Sequence, residues 1–318
     1  MMDTTAINGH GKRWGWKEKR GRWARRAVPL AATLLVALPV SAAHGGTRAA
    51  SGADGAIMLR YQFTPGEQFA YAVTEHSRAE VADPQAGLQT SARVGHFILR
   101  YAIQSVSPDG TAAAETSASA STVVLTLNGQ SKTYHGVNPP DVEDLGADNS
   151  LPGFATDKHS ISSLVGRTRA YGVQLFGALP SSPLTPGATF RTSANEDITT
   201  LTPVLQGAKL PLARIVARNT FVGYRQDGGV QVAVIDSRAT PSYSGNGTIP
   251  TLLAGQMFHV TGKGTLHIVS TYDVAHKRLR GSTVDADLTF VVATSDAPDQ
   301  PVTHFRLVRH FTFQPVQG

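Results

Sequence analysis

Two short stretches, FTPGEQF at residues 63–69 and LTPGATF at residues 184–190, recur 121 residues apart and guide the interpretation of the whole chain. In each stretch the proline presets φ for a turn, and the glycine supplies the positive φ that a type II turn requires. An aromatic residue and a strand-like segment follow. The recurrence predicts two related β-rich halves, each opened by a Pro-Gly turn.

Alternation of apolar and polar residues predicts strands along most of the remaining chain. Asn128-Gly129 gives the strongest hairpin signal, because both central residues of a type I′ turn need positive φ. The predicted strands are residues 57–63, 68–76, 96–106, 111–127, 215–224, 230–235, 257–260, 265–274, 282–292 and 304–313. The sequence therefore predicts an all-β fold, with mostly antiparallel sheet in two related halves that share one core and at most one or two short helices.

Residues 1–43 have the features of a signal peptide. A basic stretch at residues 12–26 precedes an apolar run at 27–40 and three small residues at 41–43, the order found in export signals. The run has 14 residues, whereas a bilayer-spanning helix needs about 20, which favours cleavage over retention as an anchor. Arg25-Arg26 leaves the Sec and twin-arginine routes open. We expect an exported protein, periplasmic or extracellular, with no transmembrane segment after the signal is removed.

The sequence after the signal predicts one flexible segment and one domain. Residues 44–56 are mostly Gly, Ala and Ser, a composition typical of a flexible segment. Residues 57–318 form the predicted domain, with halves at 57–134 and 184–318, a long loop at 135–158, and a connecting segment at 159–183 with room for one short helix at 160–179. Whether the two halves are a true duplication stays open at this point.

Charge and cysteine content exclude several classes of function. Eight of the 29 basic residues and two of the 23 acidic residues lie in residues 1–43, which leaves 21 of each in the rest of the chain. A nucleic-acid role would need a concentrated basic face and therefore loses support. The chain has no cysteine, so it has no disulfide, no thiol nucleophile, no cysteine metal site and no lipid-modified cysteine.

One predicted strand has an unusually small face. Ala112, Ala114, Ala118 and Ala120 share that face, and polar residues such as Glu115 and Ser117 occupy the other. In one interpretation, large neighbours such as Phe97 or Tyr101 fill the space beside the alanines. In the other, the alanines line a hollow that binds the acyl chain of a ligand.

The segment Lys277-Arg278-Leu279-Arg280 is the most basic part of the chain outside the leader. We place it in a hairpin loop, where its side chains are either simply solvated or contact an anionic partner, such as a lipid headgroup or a cell-wall polymer. Lys277, Arg278 and Arg280 are therefore candidate ligand-binding residues.

A histidine and two aspartates are candidates for a metal or proton-transfer site. Burial of Leu266, Ile268 and Val284 leaves His267 pointing outward, and register then allows Asp285, Asp287 or Thr289 opposite it. We choose Asp287. A cross-strand surface pair is one interpretation, and a site completed by His304 or His310 on the last strand is the other.

Local signatures of catalysis are absent from the sequence. It contains no Gly-x-Ser-x-Gly elbow, no His-Glu-x-x-His helix and no phosphate-binding loop. We expect no cofactor, and we favour a protein that is not an enzyme. Scattered histidines and hydroxyl groups nevertheless keep a hydrolase with a non-contiguous site open.

The chain resembles a loosely defined family of uncharacterised bacterial envelope proteins. The resemblance rests on LRYQFTPG at residues 59–66, on LPSSPLTPG at 179–187, and on Tyr272-Asp273 before a late hairpin. It implies an exported β-rich protein, and many such relatives are lipoproteins, whereas this chain lacks the cysteine.

We expect a binding or carrier protein for an apolar or envelope ligand. A structural or interaction module that contacts another envelope protein is the alternative.

Overall fold

The structure is a computed structural model, and it describes residues 56–83, 87–145, 179–180, 182–196, 198–200, 208–248, 257–294 and 302–316. All of these residues belong to one compact unit, Arg48–Gly318. Their regular structure consists of β-strands and a single 3-10 turn at Ile198–Thr200. The prediction of an all-β fold is confirmed.

Eleven strands are present in the described ranges. They are β1 (Gln68–Asp83), β2 (Gly87–Val106), β3 (Ala112–Leu127), β4 (Gln130–Leu145), β5 (Thr189–Glu196), β6 (Ala213–Asp227), β7 (Val230–Ala239), β8 (Ser242–Thr248), β9 (Met257–Asp273), β10 (Arg278–Thr294) and β11 (Thr303–Pro315). The segments predicted as separate strands at 257–260 and 265–274 are one strand, β9. No helix in the described ranges is long and apolar enough to cross a bilayer.

All eleven strands belong to one antiparallel sheet, in which ten follow the order β4-β3-β2-β1-β11-β10-β9-β7-β6-β5 and β8 pairs with β9. The last strand pairs with the first, so β1 lies between β2 and β11. Strand β8 continues β7 along the same edge of β9. The interruption falls at Pro241, which has no N–H to donate to a ladder.

The two faces of the sheet differ in composition. We name the face that carries the hydrophobic core the inner face, and the opposite one the outer face. Side chains alternate between the faces along each strand. Core residues on the inner face include Tyr71, Val73, Phe97, Phe221, Ile235, Phe258, Val284, Phe305, Leu307, Phe311 and Phe313.

The segment before β1 packs on the core without forming a sheet strand. Its backbone is held by a bridge from Ile57 to Leu184 and by a hydrogen bond of 3.1 Å from the Gln62 N–H to the Lys277 carbonyl. Leu59 and Tyr61 are buried. The strand predicted at 57–63 is therefore wrong, because burial alone produces the same alternation in an extended segment that lacks a ladder.

The two Pro-Gly turns make the same hydrogen bonds. The Gly66 N–H donates to the Ile103 carbonyl of β2 at 2.8 Å, and the Gly187 N–H donates to the Phe221 carbonyl of β6 at 2.7 Å. Both glycines have positive φ, 81° and 86°. The neighbourhoods differ beyond this, because β1 pairs on both sides and β5 is an edge strand of the described sheet. A duplication of two halves stays a prediction.

The prediction of a loop at 135–158 is wrong for residues 135–145, which belong to a strand. Strand β4 runs to Leu145 and includes Pro139-Pro140. This strand is an edge of the described sheet, where a proline need not donate to a second ladder. The rest of that loop, the possible helix at 160–179 except Leu179, and residues 1–55 lie outside the described residues. The hairpin at Asn128-Gly129 is confirmed, with φ of 47° and 83°.

Candidate functional site

Three charged side chains lie on the inner face among apolar residues. Glu75 of β1 is 0% exposed, Arg93 of β2 is 7% exposed, and Arg309 of β11 is 5% exposed. The Arg93 Nη2 atom lies 3.0 Å from Glu75 Oε2. Ser77 lies opposite Arg93 on one side and opposite Arg309 on the other. We name Glu75, Arg93 and Arg309 the buried charged cluster.

Neighbouring residues shape the space around this cluster. Gly95 lies opposite Glu75, and a Cβ at Gly95 would lie 3.4 Å from Glu75 Oε2. The Arg309 guanidinium carbon lies 5.9 Å from the centre of the Phe311 ring, within the range of a cation–π contact. A small residue on one side and an aromatic ring on the other thus surround the charges.

The Glu75 carboxylate is the most unusual group of the cluster. Neither of its oxygens accepts a hydrogen bond of standard geometry within the described part of the chain, although Oε2 contacts Arg93. A buried ion pair is weak evidence for stability, because removing both charges from water costs as much as their attraction gains. Buried polar groups whose hydrogen-bonding capacity is not used need an explanation. Binding of a polar group of a ligand is one such explanation.

Sequence reasoning missed this cluster, although a signal was present. Glu75 is in phase with Tyr71 and Val73 along β1, and Arg309 is in phase with Leu307 and Phe311 along β11. Charged residues at buried positions of a period-2 pattern are rare unless paired. Their phase therefore distinguishes them from the other charged residues of these strands.

The predicted alanine face is on the inner side of β3. Ala112, Ala114 and Ala118 are 0%, 0% and 2% exposed and belong to the core. Ala112 lies opposite Leu145, and Ala114 lies opposite Ile103. The backbone of Ala120 belongs to β3, but its side chain is outside the described set. The shared buried face is as predicted for three alanines, and the acyl-chain hollow stays a prediction.

The prediction that the basic segment at 277–280 lies in a loop is wrong for three of its four residues. Only Lys277 lies in the turn, with φ of 52°, whereas Arg278 and Arg280 belong to β10. Arg278 Nη2 lies 2.6 Å from Glu67 Oε1, and Arg280 Nε lies 3.7 Å from Asp227 Oδ2. Glu67, at the turn before β1, and Asp227, the last residue of β6, are thus paired with two of the three cations.

His267 is on the outer face as predicted, but its partner differs. His267 lies opposite Asp285, one of the three allowed registers, and Asp287 lies opposite Thr265, so the choice of Asp287 is wrong. A bulge between Leu279 and Gly281 sets this register. Without the extra residue, His267 would face Val284, and the apolar side of one strand would share a face with the polar side of the other.

On the outer face, His267 and His310 each bond to one carboxylate. His267 Nε2 lies 3.2 Å from Asp236 Oδ2 of β7, and His310 Nδ1 lies 2.7 Å from Asp285 Oδ1. Asp287 pairs with Arg306 at 2.8 Å, and the hydrogen bond from Arg306 lowers the pKa of Asp287. The described residues contain no group of three ligands suited to a metal ion. These residues form surface pairs.

Comparisons with known proteins add little to this geometry. No family model and no curated protein matches the chain. DynF from the dynemicin biosynthesis pathway of Micromonospora chersina is similar to it over 82% of this chain and 85% of its own, with 12% identity and a TM-score of 0.23. OccK5 (OpdH) of Pseudomonas aeruginosa is similar over 80% and 99%, with 7% identity and a TM-score of 0.28. Neither similarity indicates a function for this chain.

Proposed function

We propose that this protein is an exported, non-enzymatic carrier for an amphiphilic ligand of the cell envelope. The apolar part of the ligand lies along the inner face of the sheet, and its head group lies against the buried charged cluster. The observation that carries this proposal is the Glu75 carboxylate, fully buried beside Arg93 on an apolar face.

The chemistry of the cluster suggests which head group it binds. Glu75 accepts hydrogen bonds, and the two guanidinium groups donate them. A head group with both functions, such as a hydroxyl or ammonium group next to a phosphate or carboxylate, complements this arrangement. Charge-assisted hydrogen bonds of this kind are stronger than neutral ones, which offsets the cost of removing the charges from water.

The alanine face lies at a suitable distance for an apolar chain. Ala118 lies opposite Leu99 of β2. Leu99 in turn is six residues from Arg93 along the same strand. At about 3.4 Å per residue this separation is about 20 Å, close to the length of a long acyl chain. In this proposal the apolar chain lies against Ala114 and Ala118, which are on the same face as the cluster.

Native mass spectrometry of protein purified from its host tests this proposal. We expect a bound mass in the range of a single-chain or two-chain lipid that organic solvent extracts. The double variant Glu75→Met with Arg93→Met should lose that mass while keeping its fold, and Glu80→Gln on the outer face of β1 should retain it.

Other outcomes would favour other functions. A wild-type protein without bound mass, or equal loading of the double variant, contradicts the carrier proposal. Co-purification of a stoichiometric polypeptide with no small ligand supports the alternative, a structural or interaction module of the envelope.

A further inference from the structure

A row of basic side chains crosses the outer face near one edge of the sheet. Arg191 of β5 lies opposite Arg218 of β6, which lies opposite Arg238 of β7. Arg214 lies on the same face of β6 as Arg218, and all four side chains are exposed. We name Arg191, Arg214, Arg218 and Arg238 the basic outer surface.

The electrostatics of this row are unfavourable for the isolated sheet. Like charges directly opposite each other on neighbouring strands destabilise the pairing. Asp236 offsets only part of this, because its two oxygens bond to Arg238 and His267, and the hydrogen bond from Arg238 lowers the pKa of Asp236. Within the part of the chain that the structure describes, Arg191 and Arg218 form no ion pair with an acidic side chain. An anionic partner would relieve the repulsion.

Exposed apolar side chains lie on the same face as these arginines. Val216 is 47% exposed and Val222 is 57% exposed, and both lie on the outer face of β6 with Arg214 and Arg218. From Arg214 to Val222 the outer face of this strand spans about 27 Å and carries Arg214, Val216, Arg218, Thr220 and Val222. Arginine stems lie along apolar surfaces while the charged ends remain in a polar layer. Exposed valines suit the acyl boundary of a membrane, and a soluble polyanion would make no use of them.

We propose that the basic outer surface binds the anionic surface of a lipid bilayer, with the guanidinium groups at the phosphates and the valines at the edge of the acyl region. This inference is independent of the inner-face ligand. The residues come from three strands that the sheet brings together, so the contact depends on the folded state.

Vesicle binding by the full chain tests this inference. Vesicles contain either phosphatidylcholine alone or phosphatidylcholine with 30% (about one lipid in three) phosphatidylglycerol, a mixture whose negative surface attracts basic residues. Each arginine contributes about fivefold to partitioning onto an anionic surface. The triple variant Arg191→Gln, Arg214→Gln, Arg218→Gln should therefore bind roughly 100-fold more weakly, the triple lysine variant should bind nearly as well as wild type, and added salt should weaken binding.

A site-specific probe separates this surface from the basic leader. The chain has no cysteine, so Ser193→Cys on β5 or Ser131→Cys on β4 carries one environment-sensitive fluorophore. We expect anionic vesicles to shift the emission of the probe at residue 193 and to leave the probe at residue 131 unchanged. Equal binding of the triple glutamine variant, or no shift at residue 193, overturns the inference. Binding of soluble polyphosphate without a vesicle-induced shift also overturns it and identifies a polyanion as the partner.

Discussion

The strongest prediction from the buried charged cluster concerns the stability of the variant Glu75→Gln. This change keeps the size of the side chain and removes its charge, so the Arg93 guanidinium, 7% exposed, stays in the core without the Glu75 carboxylate. Breaking a buried pair by removing one partner costs about 3 to 5 kcal/mol. The free energy of unfolding, measured by urea titration with an unchanged m value, should fall by that amount.

The matched control lies on the same strand. Glu80 pairs with Arg78 at 2.8 Å, with side chains 35% and 67% exposed. The nitrogen–oxygen distance is therefore similar to that of the Glu75–Arg93 pair, whereas the side chains of the Glu80–Arg78 pair are much more exposed. Exposed pairs contribute about 0 to 1 kcal/mol, and Glu80→Gln should cost no more than this. If Glu75→Gln and Glu80→Gln destabilise the protein equally, the reasoning from burial is refuted.

The double variant distinguishes stability from function. Replacing Glu75 and Arg93 together by methionine removes both charges, and such apolar replacements are often neutral or stabilising by about 1 to 4 kcal/mol. We expect the double variant to recover the stability that Glu75→Gln loses. A recovered fold without the bound mass would show that the ion pair serves binding, whereas a double variant less stable than Glu75→Gln would contradict this account.

Three further predictions follow from packing, hydrogen bonding and the leader. Gly264→Ala should destabilise the protein by about 1 to 3 kcal/mol in urea titration, because the added methyl group meets the Asp287 main-chain carbonyl; a neutral result would contradict the close approach. Burial raises the pKa of Tyr272 to about 12 from 10.0, so its contribution is complete below pH 10 and is lost as the pH rises toward 12. Tyr272→Phe should cost about 1 kcal/mol at neutral pH through the lost bond to the Arg60 carbonyl and should reduce the alkaline loss of stability; an unchanged alkaline profile would argue against this phenol. N-terminal sequencing of exported protein should find residue 43, 44, 45 or 46 first, and an intact leader would contradict signal cleavage.

Much of the fold was predictable because strand period and turn chemistry are local. The alternation at residues 96–106 and 304–313 identified segments of β2 and β11, and Asn128-Gly129 identified the turn between β3 and β4. Two predictions were wrong because the local rule behind each of them has an exception. Prolines at 139–140 indicated a loop, yet an edge strand accepts proline, and the alternation at 57–63 came from burial without a ladder.

The candidate sites were less predictable because they depend on contacts between remote strands. Period-2 phase placed His267 on the outer face, but three registers satisfied that phase, and the bulge after Leu279 selected Asp285. The charges of Arg278 and Arg280 suggested an open basic patch, but both side chains pair with carboxylates from remote parts of the chain. The local density of basic residues along the chain therefore indicated residues 277–280 and did not indicate the basic outer surface, whose arginines come from three strands.

The sequence by itself determined the strand class, the two Pro-Gly turns and which side chains of most strands face the core, because each of these depends on neighbours a few residues away. Only the tertiary structure decided that β11 pairs with β1, which brings Arg309 beside Ser77 and completes the buried charged cluster. It also decided that Arg191, Arg218 and Arg238 form one row. Strand pairing is selected by the packing of the whole inner face, so residues far apart in the chain become neighbours through contacts that no local pattern records.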